Sequence, residues 1–248
     1  MLKFATLALG LLIGTQTTAL DLETMTNGER SAFRAEIRSY LMENPEVLME
    51  AIGVLEQREQ AATADSDESL VKSYAAELFN DGHSFVGGNP NGDITIVEFM
   101  DYRCGYCKKA FPEVEALITG DGNIRYIVKE FPILGEASLL ASQFAIAVKI
   151  VAGDETYEAV HNTLMEFRGE MSQNNLNRLA NNLDLEVAAI NVEMGGSEVA
   201  KIINDNRLLG KSLQITGTPT FIVQDQMLRG YVPYEQMVRI VATVRQND

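Results

Sequence analysis

The only two cysteines of the chain stand in Cys104-Gly105-Tyr106-Cys107, where the residue pattern changes from strand to helix. Ahead of them, Ile94-Thr95-Ile96-Val97-Glu98-Phe99 is β-branched and aromatic, as a buried strand requires. Behind them, Lys108 to Ile118 reads as a helix. A strand leading straight into a helix asks for an α/β architecture. It also places the thiols at a helix N-terminus, whose unpaired N–H groups and partial positive charge favour a thiolate.

Three chemistries suit a Cys-x-x-Cys pair. As a redox dithiol, Cys107 can resolve a mixed disulfide formed at Cys104. As half of a zinc site it would need further ligands, and the two histidines, His83 and His161, show no ligand spacing. As a structural bridge it would close a very short loop and stabilise little. The strand–CxxC–helix context favours the redox reading. Arg103, Lys108 and Lys109 flank the pair and either support a thiolate or form a solvated basic face. Glu98 interrupts an apolar run, and a buried carboxylate is costly unless paired or protonated. It reads as a proton acceptor beneath the thiols with a raised pKa, or as a partner for Arg125 or Lys129 on the next strand.

A second motif lies at Thr216-Gly217-Thr218-Pro219-Thr220-Phe221-Ile222-Val223. Proline opening a strand donates no ladder hydrogen bond. A cis Thr218–Pro219 bond explains its placement and leaves Thr218 at the sheet edge to pair with an extended chain; a trans proline entering a strand is the alternative.

Val97 to Cys107, Lys129-Glu130-Phe131-Pro132 and Gly217-Thr218-Pro219-Thr220 together resemble the DsbA-like branch of the thioredoxin superfamily, over about residues 83–246. The resemblance implies a thioredoxin-like α/β fold with a helical insertion at about 137–213. It implies Cys104 as nucleophile, Cys107 as resolving thiol, Glu98 as buried acid and Pro219 as the cis-proline. Thr218 and Tyr106 would join Pro219 in contacting substrate. Gly105-Tyr106 with Thr218 before the proline is more like the disulfide isomerases of this branch than its oxidases, so the expectation leans to isomerase or reductase. Protein substrates with thiols or disulfides and a membrane redox partner follow, with no cofactor and no metal. A copper- or client-binding protein without turnover is the competing reading, since thiolates suit copper(I).

Lys3, the apolar run Phe4 to Ile13 and Thr17-Thr18-Ala19 read as a secretory signal over 1–19 cleaved near Ala19, which implies export to the periplasm. With 35 acids against 20 bases the net charge is −15, which argues against nucleic-acid partners. Residues 20–80 read as a helical extension. Phe33, Ile37, Tyr40 and Leu41 mark one helix, and Leu48, Ile52 and Leu55 a second after Asn44-Pro45. The run Gln57 to Ser69 reads as a hinge or as more helix, and Val71 to Leu78 as a third helix. Such an extension resembles those of DsbA-like proteins that oligomerise; it either joins copies of the chain into a homo-oligomer or docks on the catalytic domain. Within the insertion, Ser172 and Ser197 read as helix N-caps and His161 as a packed or surface residue.

Overall fold

The computed structural model describes residues 23–247, so the expected signal and its cleavage point lie outside the described residues. The chain divides into two compact units, the first ending at Arg58 and the second beginning at Glu59.

In the first unit, α1 (Asn27–Glu43) starts at a capping box. The Thr26 side chain accepts from the Glu29 N–H, and the Glu29 carboxylate accepts from the Thr26 N–H, which satisfies two end groups of the helix. No residue of α1 is buried; Phe33, Ile37 and Tyr40 are 39%, 43% and 54% exposed. Pro45 stands just ahead of α2 (Glu46–Ser73). Its run Gln57 to Ser69 is helical, so the sequence alternative of a hinge resolves to helix.

In the second unit, the end of α2 leads to α3 (Ala75–Phe79), so the third helix expected from Val71 to Leu78 is two elements. The strand β1 (Phe85–Gly88) follows, then β2 (Ile94–Met100), α4 (Gly105–Asp121) and β3 (Ile124–Glu130). Gly122 ends α4 at φ 71, the left-handed region that glycine enters without strain. Five helices come next: α5 (Glu136–Ala152), α6 (Asp154–Glu166), α7 (Gln173–Asn182), α8 (Val187–Met194) and α9 (Ser197–Ser212). Ser172 is the N-cap of α7, but Gly196, not Ser197, is the N-cap of α9. The chain ends in β4 (Thr220–Val223), β5 (Gln226–Arg229) and α10 (Tyr234–Asn247).

The sheet has the order β1-β3-β2-β4-β5. Only β2 and β3 run parallel; the other three pairs are antiparallel. This is the expected thioredoxin-like α/β fold with its helical insertion, plus β1 as an added edge.

The register divides the side chains between two cores. Ile96 lies opposite Tyr126, Glu98 opposite Val128 and Met100 opposite Glu130. Side chains alternate faces along a strand, so these even-numbered residues share one face. Ile96, Met100, Tyr126 and Val128 pack there with Val114, Phe144 and Met237. Val97, Phe99 and Ile127 pack on the opposite face with Val71, Leu78 and Leu209. Glu98 and Glu130 therefore enter the larger core, while Arg125 and Lys129 point to the other side.

Candidate active site

The loop Asp101-Tyr102-Arg103 turns the end of β2 into the start of α4. Asp101 is fully buried and fixes this turn. Its Oδ1 accepts from the Arg103 N–H at 2.8 Å, and its Oδ2 from the N–H groups of Ile133 and Leu134 at 2.9 and 3.1 Å. One carboxylate thus ties the cysteine loop to the segment after β3.

Cys104 is the N-cap of α4, with extended backbone, and is 8% exposed; Cys107, one turn in, is fully buried. Both are free thiols. As a thiol, Cys104 Sγ donates to the Thr218 carbonyl at 3.1 Å. As a thiolate it is held down to about pKa 5. The Cys107 thiol donates to it first of all, outweighing the upward push of burial, with help from the Thr218 side chain and the backbone N–H groups of Cys107 and Tyr106. Cys107 is pushed the other way, far above the ordinary thiol range, by burial, by its bond to Cys104 and by the charge of Glu98. One sulfur is ready to attack and the other stays protonated.

The flanking cations are not what holds this charge. Lys108 Nζ turns away to the carbonyls of Leu164, Met165 and Phe167 at 2.7 to 3.0 Å. Those groups lie at the C-terminus of α6, where carbonyls lack helical partners and attract a cation. Lys109 sits 3.9 Å over the Tyr231 ring. Arg103 is exposed.

Thr218–Pro219 is cis. Pro219 is buried, and its carbonyl accepts from the Gly230 N–H at 2.9 Å. The sequence reading set Thr218 at a sheet edge; the structure instead sets it ahead of an interior strand. β4 is an interior strand between β2 and β5, and Thr218 lies beyond its first paired residue, Thr220, with its carbonyl turned to Cys104. Tyr106 is 64% exposed on the first turn of α4, with its ring 6.5 Å from that of Tyr231.

Glu98 is 2% exposed. Its Oε2 accepts from the Tyr126 hydroxyl, and its Oε1 has no partner. Burial raises its pKa to about 7 against the pull of Tyr126, with small additions from Cys104 and Glu115. The pairing with Arg125 or Lys129 is overturned by the register. Arg125 donates to the Phe79 carbonyl at 2.9 Å, and Lys129 pairs with Asp81 on the far face of the sheet.

Besides Asp101, another buried acid escaped the sequence reading. Glu130 accepts from the hydroxyls of Tyr102, Tyr157 and Ser142, each at 2.7 Å. His161 is packed, as expected: it is 2% exposed, with Nδ1 3.0 Å from the Tyr102 hydroxyl. Among the described residues, no three His, Cys, Asp or Glu side chains converge as a metal site, and no helix is long and apolar enough to cross a membrane.

A family model described as Thioredoxin matches residues 80–243. The chain belongs to the thioredoxin family. A further model, described as Copper resistance protein ScsC N-terminal domain, matches residues 29–62. Among solved structures the chain is similar to a thioredoxin-like oxidoreductase from Silicibacter pomeroyi, at 37% identity and TM-score 0.65, over 69% of this chain and 97% of that one. It is similar to the thiol-disulfide exchange protein alpha-DsbA2 from Wolbachia pipientis, at 29% identity and TM-score 0.68, over 73% and 96%. A ScsC linker-deletion mutant from Proteus mirabilis matches at 25% identity and TM-score 0.66, over 92% and 100%. The first curated relatives are Na(+)/H(+) antiporters of Salinispora, 28% identical; the chain spans about a quarter of their length (24% and 22%).

Proposed function

We propose that the chain is a thiol–disulfide oxidoreductase acting on proteins exported to the periplasm. The observation that carries this reading is the placement of two free thiols one turn apart at the start of α4, Cys104 at the N-cap against the Thr218 carbonyl of the cis-proline loop and Cys107 buried behind it. The Cys104 thiolate attacks a substrate disulfide; a Cys104–substrate S–S bond forms, the substrate S–S bond breaks, and the released thiolate takes a proton from water. Cys107 then gives its proton to Glu98, and its sulfur attacks Cys104. The second substrate thiolate leaves, so the Cys104–Cys107 pair is oxidised by two electrons and the substrate disulfide is reduced. Run backwards, the same steps oxidise a dithiol. If a substrate thiol resolves the mixed disulfide first, the result is isomerisation.

Thr218, Pro219 and Tyr106 form the substrate contact in this reading, because the Thr218 carbonyl meets the Cys104 sulfur, Pro219 follows it through the cis bond, and Tyr106 stands exposed on the first turn of α4. Isomerisation is favoured over net oxidation. Gly105-Tyr106 with Thr218 beside the nucleophile supports it. The exposed apolar residues of α1 and early α2, with the match over residues 29–62, support a homo-oligomer through the extension. A membrane redox partner would reset the pair. The deciding experiment is reactivation of a scrambled-disulfide substrate by the reduced protein and by Cys104→Ser. Reactivation by the first alone is expected; failure to reshuffle, with a strongly oxidising potential, contradicts the isomerase assignment. The two adjacent free thiols are also soft donors for copper(I), and tight copper(I) binding without disulfide turnover would favour that second reading.

A further inference from the structure

Cys107 and Glu98 are 0% and 2% exposed, so a proton that passes between them has no direct route to water. A substrate joined to Cys104 covers the thiol side as well. The side chain bonded to Glu98 offers a way out. Tyr126 donates to Glu98 Oε2, and Tyr126 also lines a cavity of about 350 Å³. The other walls include Glu115 and Thr119 of α4 and Glu158, His161 and Asn162 of α6. None of them belongs to the substrate contact.

The cavity is built from groups that hold water and protons. With Glu130 ionised, Tyr102 gives it its single hydroxyl proton, so His161 carries its hydrogen on Nδ1 and donates to Tyr102. That leaves His161 Nε2 as a buried acceptor without a partner. Glu115 is raised by burial and by the charge of Glu158. The titratable groups facing Glu98 are Cys104, Cys107 and Glu115 from the α4 side, Tyr126 from β3 and Tyr157 from α6.

We propose that Tyr126 is a positioning residue that holds Glu98 for proton transfer and joins it to the cavity between α4, α6 and β1, through which the Cys107 proton leaves. Cys107 passes its proton to the open Oε1 of Glu98 as its sulfur bonds to Cys104 and the substrate thiolate departs. The Glu98 carboxyl then turns so that its new proton faces the Tyr126 oxygen, the Tyr126 hydroxyl turns to the cavity and gives its proton to water there, and the carboxyl proton takes its place on the Tyr126 oxygen. Glu98 returns to carboxylate and Tyr126 is unchanged.

The inference rests on the exchange reading, and its test separates the two. Carboxyl carbon NMR of the reduced protein follows the Glu98 midpoint without any turnover. Tyr126→Phe removes a donor that favours the charged form, so the midpoint should rise by about one pH unit. Glu115→Gln removes a neighbouring negative charge, so the midpoint should fall. In single-turnover resolution of a Cys104 mixed disulfide, Tyr126→Phe should be slower by about tenfold. Cys104 alkylation should keep its wild-type pH dependence. A purely structural tyrosine would lower thermal stability and leave the midpoint in place, which overturns the proposal, as does wild-type resolution in Tyr126→Phe. A wild-type protein that resolves no mixed disulfide sinks the exchange reading itself, and the relay with it.

Discussion

Glu98 and Glu130 stand on neighbouring strands of one sheet face, 2% and 3% exposed, and burial raises both to about pKa 7. Their surroundings differ. Glu130 accepts from three hydroxyls and so ties Tyr102, α5 and α6 together. Glu98 has one hydroxyl, one bare oxygen and the thiols nearby. Desolvation makes a carboxyl hold its proton; an unfilled lone pair beside a thiol lets it accept another's. Burial alone does not distinguish a proton carrier from structural glue.

The comparison is broken most readily at Glu130. Glu130→Ala leaves three buried hydroxyls without their acceptor and should cost about 3–5 kcal/mol in urea unfolding. A loss well under 1 kcal/mol would mean that the network holds nothing together. Glu98→Gln should change stability in the opposite direction. An acid whose folded pKa is raised costs stability as pH climbs from its ordinary 4.5 through about 7. Removing the charge should therefore stabilise the protein by about 1–3 kcal/mol at pH 8 and by almost nothing at pH 4, while slowing Cys107-dependent resolution. Equal stability at both pH values would show that Glu98 is not held protonated by burial. The smallest effect belongs to Ser142→Ala, which removes one of three donors to Glu130. It should cost about 1 kcal/mol and leave the exchange pH profile unchanged.

Much of this arrangement was legible in the residues. The change of period around Cys104 and Cys107 located β2 and α4, and Pro219 ahead of Phe221-Ile222-Val223 located the cis loop. β1 was hidden because two of its four residues are glycines and it is held only by pairing with β3. The partner of Glu98 was hidden because register, which a sequence does not print, decides which face each residue of β3 takes. Once Ile96 lies opposite Tyr126, Arg125 and Lys129 are excluded and the hydroxyl of Tyr126 comes within reach. Asp101 and Tyr102 abut the cysteine motif, but their partners Ile133 and Glu130 lie about thirty residues on. The sequence left two readings open for the flanking cations, and it could not choose between them because nearness along the chain is not nearness in space: Lys108 is drawn off by the end of α6 and Lys109 lies over the Tyr231 ring.

The central claim is that Cys104 is ionised at neutral pH by hydrogen bonds from Cys107, Thr218 and the first turn of α4. A thiol whose folded pKa is lowered from 9.0 to about 5 adds stability to the reduced protein as pH rises between those values, and that stability is lost as pH falls through about 5. The most direct measurement is the rate of Cys104 alkylation in the reduced protein from pH 3 to 10. A single midpoint near 5 is predicted. A midpoint near that of free cysteine, about 8.5, would contradict the account.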